Sequence, residues 1–353
     1  MPTVRRDTAV AATGDPFNQG ELVDGYGRVH RDLRVSLTDK CSLRCSYCMP
    51  AEGVPWLPQQ KILSAAEIVR IVRVGTRLGI TEVRLTGGEP LLRPDIVEIV
   101  RQLARLETDA GPLQVSATTN GLRLPELIDD LVAAGLGRLN ISLDTVDARR
   151  YYELTRRDKF AEAVAGVEAA QSSGLRPLKI NAVAMRGVND DELPELVRFA
   201  VAHEAELRFI EMMPLDAGHT WRREEIVTGD EILRSLRSEF TLTATGERGA
   251  SPAETFLIDG GPHTVGVIAS VTRPFCGACD RVRLTADGQL RNCLFAREEH
   301  DLREVLRGDL DAAAQDLAIA RVLRQSIGLK RPGHGIDEPG FLQPDRPMSA
   351  IGG

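Results

Sequence analysis

Leu33-Arg34-Val35-Ser36-Leu37-Thr38-Asp39-Lys40-Cys41-Ser42-Leu43-Arg44-Cys45-Ser46-Tyr47-Cys48 is the stretch from which the rest of the chain is read. Leu33–Leu37 has the look of a short buried strand, and three cysteines follow it at once in a C-x3-C-x2-C loop. Three thiolates on one loop can reach three corners of an iron–sulfur cube and leave one iron open, whereas structural zinc closes its shell with four ligands. On these residues alone, a zinc site that borrows a distant ligand, or simply buried thiols, stays open.

Outward from this loop the chain repeats one pattern. Ser64 starts a helix through the capping box Ser64-Ala65-Ala66-Glu67, with Ile68, Ile71, Val72 and Leu78 at helical spacing. Strand Glu82–Thr86 precedes helix Pro94–Leu106, Leu113–Thr118 precedes Pro125–Ala134, and Arg138–Leu143 precedes Phe160–Ser172. Leu178–Met185 then leads to Leu193–His203, and Glu206–Met212 to Asp230–Phe240. Six strand-helix units in succession imply a parallel sheet with right-handed crossovers, either doubly wound or a partial barrel. Such folds place their chemistry at the carboxyl ends of the strands, where the cysteine loop lies.

Residues 1–30 mix Gly, Pro, Asp and Arg without an apolar period and read as a loose arm. Beyond residue 245 the pattern changes to Gly- and Pro-rich segments with short β stretches at Thr255–Ile258 and Val265–Ser270. The expected organisation is therefore an arm (1–30), an α/β domain (31–245) and a C-terminal region (246–353). A formal charge of −7 argues against a diffuse grip on nucleic acid or an anionic membrane. No run approaches 18 apolar residues, and Ala9–Ala12 is too short for a signal-peptide core, so a cytoplasmic protein is expected. Cysteines there stay reduced. All six belong to two triads, Cys41/Cys45/Cys48 and Cys276/Cys279/Cys293. The second also offers three thiolates and no obvious fourth ligand, with a zinc ribbon as the competing reading.

The C-x3-C-x2-C loop, with Tyr47 before its last cysteine, resembles the radical S-adenosylmethionine superfamily, whose core is a partial (βα)6 barrel. The resemblance implies a [4Fe–4S] cluster on Cys41, Cys45 and Cys48 whose open iron chelates S-adenosylmethionine, cleaved by one electron to a 5′-deoxyadenosyl radical. Thr86-Gly87-Gly88-Glu89-Pro90 is similar to that family's G-G-E-P motif, so Gly88 is expected against the methionine amino group. On the same resemblance Ser142 supplies a hydroxyl to the cofactor, Met213 packs on its adenine, and Tyr47 belongs to the same site.

A C-x2-C-x13-C group behind such a core resembles one family within it, the GTP 3′,8-cyclases. The likeness covers residues 30 to 353, including Arg281-Val282-Arg283-Leu284, Cys293-Leu294-Phe295 and the terminal Gly352-Gly353. It implies a second [4Fe–4S] cluster on Cys276, Cys279 and Cys293 that meets the guanine of GTP, and cyclisation of that GTP in the first step of molybdenum cofactor biosynthesis. Substrate contacts are implied at Arg34, Arg84, Thr118, Lys179, Arg281, Val282 and Arg283, and Gly352 and Gly353 are implied to enter the active site. The chain has no G-x4-G-K-[ST] phosphate loop, so separate Arg and Lys side chains must hold a triphosphate. A cation on a barrel strand is costly to bury without an anion, which favours a pocket-facing role for Arg84 and Lys179. Asp280 departs from the asparagine this family often carries. The expected partners are a flavodoxin- or ferredoxin-type reductant, the next enzyme (cyclic pyranopterin monophosphate synthase) and a second copy in a homodimer. The alternatives are a radical enzyme acting on a peptide or metabolite and a non-catalytic zinc or iron–sulfur module.

Overall fold

A computed structural model describes residues 14–246 and 248–352. The six units are present in order: β1 (Asp32–Ser36) with α1 (Ala65–Thr76), β2 (Glu82–Thr86) with α2 (Ile96–Leu103), and β3 (Gln114–Thr119) with α3 (Leu124–Ala133). β4 (Arg138–Ser142) is followed by two helices, α4 (Ala148–Thr155) and α5 (Phe160–Ser172); β5 (Leu178–Ala184) pairs with α6 (Leu193–Ala202) and β6 (Glu206–Glu211) with α7 (Gly229–Arg237). Adjacent strands of this series are parallel throughout. The capping box at α1 is complete: Ser64 N donates to Glu67 Oε2 (2.7 Å) and Glu67 N to Ser64 Oγ (3.3 Å). α4 is the one helix of the barrel that the sequence pattern did not supply, since its segment ARRYYELT is strongly polar overall and buries only Tyr151, Leu154 and Thr155.

Strand alternation explains how this sheet encloses a site. Leu33, Val35, Val83, Leu85, Leu139, Ile141, Ile180 and Phe209 are fully buried in the hydrophobic core. The intervening residues Arg34, Arg84, Asn140, Asn181 and Arg208 instead line an interior cavity. The strands therefore turn polar and charged side chains into the lumen, alongside apolar ones such as Val183 and Ile210, while the main hydrophobic core packs on their other face.

The C-terminal stretch adds β7 (Leu242–Ala244), β8 (Glu254–Ile258), β9 (Thr264–Ile268), β10 (Arg281–Leu284), β11 (Gln289–Arg291) and β12 (His300–Asp301). The 12-stranded sheet runs β12-β11-β10-β1-β2-β3-β4-β5-β6-β9-β8-β7. β10 joins β1 in parallel and β9 joins β6 in parallel, so both edges of the six-stranded core are extended by strands from beyond residue 245. The change of composition there corresponds to no break in the sheet. Three helices complete the chain, α8 (Leu302–Arg307), α9 (Ala312–Gly328) and α10 (Met348–Ile351), and α9 lies against α1 with Asp316 paired to Arg70 (2.8 Å).

Residues 14–30 are not the loose arm that their composition suggested. Leu22 and His30 are buried, and Leu22 N donates to Leu78 O (3.1 Å). Asp24 closes the turn by accepting from Tyr26 N (2.9 Å) and Arg28 N (3.1 Å), a local side-chain-to-backbone pattern that needs no apolar period. Residues 1–13 lie outside the described residues.

Candidate active site

One cavity collects the carboxyl ends of the strands, both cysteine triads and part of the C-terminal tail. Cys41, Cys45 and Cys48 are half-buried on its wall. Their loop is clasped by the end of α4: Arg44 N donates to Thr155 O and Ser46 N to Leu154 O (both 2.9 Å), and Arg156 Nη1 donates to Arg44 O (2.9 Å) and Met49 O (3.0 Å). The unforeseen helix thus shapes the ligand loop.

Gly87 and Gly88 are required by the packing of the chain itself. A Cβ on Gly88 would strike the carbonyls of Asp39 and Lys40, and one on Gly87 would meet Thr38 O. Only glycine lets β2's end lie this close to the cysteine loop, where Gly88 N donates to Thr38 O (2.7 Å). Gly88 still borders the cavity, together with Tyr47, Ser142 and Met213. Glu89, fully enclosed, accepts from Leu91 N (3.0 Å), Thr119 Oγ1 (2.6 Å) and Asn120 N (2.8 Å), tying β2 to β3. Asn120 Nδ2 in turn donates to Ser42 Oγ (3.1 Å) inside the cysteine loop.

The donor set of this first triad suits a cluster. Burial pushes the Cys41 thiol up to about 11 and Cys48 to about 12, and holds Cys45 well above its usual range. Positive iron would offset what burial costs the thiolates. Among the described residues no three His, Cys, Asp or Glu side chains gather at the spacing of one metal ion.

Behind the triad, Tyr47 Oη donates to Asp144 Oδ2 and Val183 N to Asp144 Oδ1 (both 2.8 Å). Burial outweighs these bonds and pushes the Asp144 carboxyl up to about 6. A carboxyl raised on folding contributes stability fully below its unfolded value and loses it as pH rises through the folded one. For a shift of about two units this is on the order of 3 kcal/mol. The metal-free protein is therefore expected to lose urea resistance between pH 4 and pH 7, and Asp144→Asn to flatten that slope. An equal slope in both proteins would remove Asp144 as its source.

The lumen's floor is cationic. Arg283, Arg34 and Arg84 stand in register across β10, β1 and β2, and Arg281 is level with Asp32. Asp32 is the carboxylate among them, 3.8 Å from Arg34 Nε and 3.5 Å from Arg281 Nε, and these guanidiniums hold it below its usual range despite burial. The buried Nε atoms of Arg34, Arg84 and Arg281 have no hydrogen-bond partner. Burial pulls Arg34 well below its normal value and Arg283 to about 10. Unsatisfied buried donors in a like-charged row are stable only with an anion to receive them.

Thr118 borders the cavity, and Arg208, which the sequence reading passed over, joins it from β6. The alternation Glu206-Leu207-Arg208-Phe209 carried that signal. Lys179 is absent from the wall and lies 3.6 Å from Glu206 at the start of β5. Val282 is fully buried between Arg281 and Arg283, on the opposite face of β10, and its side chain belongs to the core. Asp280 also stays off the wall; its carbonyl accepts from Arg31 N (3.2 Å).

Cys276, Cys279 and Cys293 complete the wall. Burial raises Cys276. At Cys279 burial acts the same way, but the Lys330 ammonium and the Arg281 guanidinium outweigh it and leave this thiol below its usual range. The tail returns here: Arg346 pairs with Asp287 (2.9 Å) and Glu299 (2.8 Å), Met348 and Ser349 border the cavity, and Arg283 Nη1 donates to Gly352 O. Gly353 lies outside the described residues.

Residues 35–200 match the model for the radical SAM superfamily, and residues 205–336 the model for Molybdenum Cofactor Synthesis C. The chain is 58% identical to the GTP 3′,8-cyclase of Streptomyces coelicolor over 94% of its own length and 96% of that protein's. It belongs to the GTP 3′,8-cyclase family. The GTP 3′,8-cyclase of Corynebacterium glutamicum is 52% identical over 94% of this chain and 89% of its own, and that of a Mycobacterium species (strain KMS) is 50% identical over 100% and 98%. Among solved structures, Streptococcus suis SuiB bound to S-adenosylmethionine shares the fold, with a TM-score of 0.56 at 16% identity over 80% of this chain and 64% of that one. In this GTP 3′,8-cyclase family member the boundary between the two matched models falls at β6, inside a continuous sheet.

Proposed function

We propose that this chain converts GTP to (8S)-3′,8-cyclo-7,8-dihydroguanosine 5′-triphosphate, the first step of molybdenum cofactor biosynthesis. A [4Fe–4S] cluster sits on each triad, with S-adenosylmethionine at the first. One observation carries the reading: β1 runs into the first triad, β10 runs out of the second Cys-x2-Cys, and their paired arginines share a cavity with both.

Bound there, the first cluster and S-adenosylmethionine supply the one-electron chemistry that removes the 3′ hydrogen of the ribose. The chain itself binds and orients. Tyr47, Gly88, Ser142 and Met213 border the S-adenosylmethionine end. Arg34, Arg84, Arg281 and Arg283, joined by Arg208, take the triphosphate, whose oxygens satisfy the guanidinium forks. Lys179 bears on the same charge from beside Glu206, Val282 contributes backbone alone, and Thr118 offers a hydroxyl. Holding the ribose near the first triad and guanine near the second sets C3′ against C8, and that positioning is the protein's largest contribution. Gly352 reaches in beside Arg283, and the Gly352-Gly353 tail helps to exclude water.

A flavodoxin- or ferredoxin-type protein supplies electrons, cyclic pyranopterin monophosphate synthase consumes the product, and the enzyme works as a cytoplasmic homodimer. No described helix is long and apolar enough to cross a membrane.

The test is anaerobic incubation of reconstituted protein with S-adenosylmethionine, dithionite and GTP. Expected are 5′-deoxyadenosine and a cyclised nucleotide in matching amounts, from protein holding about eight irons per chain. Equal deoxyadenosine with and without GTP would refute the substrate.

A further inference from the structure

The two triads differ in what touches their sulfur atoms. Around the first, the sulfur contacts are neutral: Leu43 N donates to Cys41 Sγ (3.4 Å), and Asn120 Nδ2 stands 4.0 Å from the same atom. At the second, a cation sits directly on a ligand. Lys330 Nζ is 3.6 Å from Cys279 Sγ and donates to Arg281 O at 2.6 Å.

Lys330 is 5% exposed, and among the described residues no carboxylate forms an ion pair with it. A buried ammonium needs a counter-charge. The nearest candidate is the Cys279 thiolate. Its segment is also pinned: Lys330 N donates to Ile327 O (3.0 Å) at the end of α9, where the helix's partial negative charge favours a cation. Arg28, held by Asp24 (2.6 Å), then ties the next residues to the triad, donating to Arg331 O (2.7 Å) and Pro332 O (3.2 Å) on one side and to Cys276 O (2.6 Å) on the other. The ordered arm therefore fixes Lys330 against the second cysteine group.

We propose that Lys330 is a positioning residue that tunes the second cluster, its Nζ donating a hydrogen bond to the Cys279 sulfur and making that cluster easier to reduce than the first. Hydrogen bonds and positive charge at ligand sulfurs favour the reduced, more negative cluster. When electrons are scarce, the second cluster fills first. The inference rests on the reading that this triad holds a cluster.

The experiment is a redox titration of the two-cluster protein followed by electron paramagnetic resonance, with iron and sulfide counted in each variant. The second cluster's signal is the one that the Cys276→Ala, Cys279→Ala, Cys293→Ala triple variant lacks. In Lys330→Met its reduction equilibrium is expected to shift about tenfold toward the oxidised form, about 59 mV for a one-electron couple, with the first cluster unmoved. Lys330→Arg should restore most of that shift. Unchanged midpoints, or equal shifts at both clusters, would overturn the proposal. Should Lys330→Met shed the second cluster's iron, its retention in Lys330→Arg supports a cation at the sulfur. Loss in both variants would leave Lys330 as a support for Arg281 O alone and overturn it. If the triple variant holds as much iron as the parent protein, the cluster reading is the one at fault, and this proposal falls with it.

Discussion

Arg283→Ala is expected to raise KM for GTP by roughly thirty- to a thousandfold, with a smaller fall in kcat. The guanidinium stands in register with Arg34 and is buried, so truncation removes charge-assisted bonds from a water-poor floor. A loss of about 2–4 kcal/mol follows if two such bonds go, each being worth roughly 1.5–3 kcal/mol and the two not strictly additive. The same change relieves the free protein of a buried cation that burial has already pulled to about 10. Its thermal midpoint without substrate should therefore not fall, which separates loss of binding from loss of fold. Arg283→Lys keeps a point charge but not the planar fork, and should recover only part of the affinity. Steady-state kinetics beside thermal melts decide the matter: an unchanged KM would take Arg283 out of the triphosphate site.

The opposite signs of these effects explain why some of the site could be read from sequence. Arg34 between Leu33 and Val35, and Arg84 between Val83 and Leu85, break an apolar run at strand period, and a break of that kind is costly unless it faces something. The same break marks Arg208, between Leu207 and Phe209. For Val282 the rule gives the other answer. Flanked by two inward arginines, it must point outward, and it packs in the core.

Other features left no mark at short range. The parallel addition of β9 and β10 to the sheet's two edges depends on pairings between residues more than fifty positions apart, such as Val265 with Leu207 and Leu33 with Val282. Lys330 sits in Leu329-Lys330-Arg331-Pro332, which reads as an ordinary helix exit, and only the return of that segment to Cys279 gives it meaning. Arg28 is similar: its reach to Cys276 O crosses most of the chain. Gly87 and Gly88 were legible as glycines that must be glycine, but the surface demanding it is the backbone of Thr38–Lys40. Sequence pattern reports what each strand needs from its two faces, and says little about which distant loop will supply it.

Gly352→Ala is expected to bring cyclisation close to zero while leaving the fold and the iron content intact. Gly352 has a φ of 71°, in the left-handed region that costs an alanine about 1–2 kcal/mol. A Cβ there would also collide with Thr86 Oγ1 and Ser36 Oγ, two hydroxyls at the ends of neighbouring strands. Those strands are core elements that cannot retreat, so the tail must yield. It is held from behind by Arg346 on Asp287 and Glu299, and α10 spans only Met348–Ile351, which leaves little slack for a shifted path. Withdrawal of the tail takes Gly352 O from Arg283 and opens the arginine floor to water. Because Gly352 contributes no side chain to the core, the melting temperature should move little. Removing the obstruction supplies the control: Ser36→Ala and Thr86→Ala, added to Gly352→Ala, clear the two oxygens and should return part of the activity. Full product formation by Gly352→Ala alone would mean that the tail does not occupy this position during turnover.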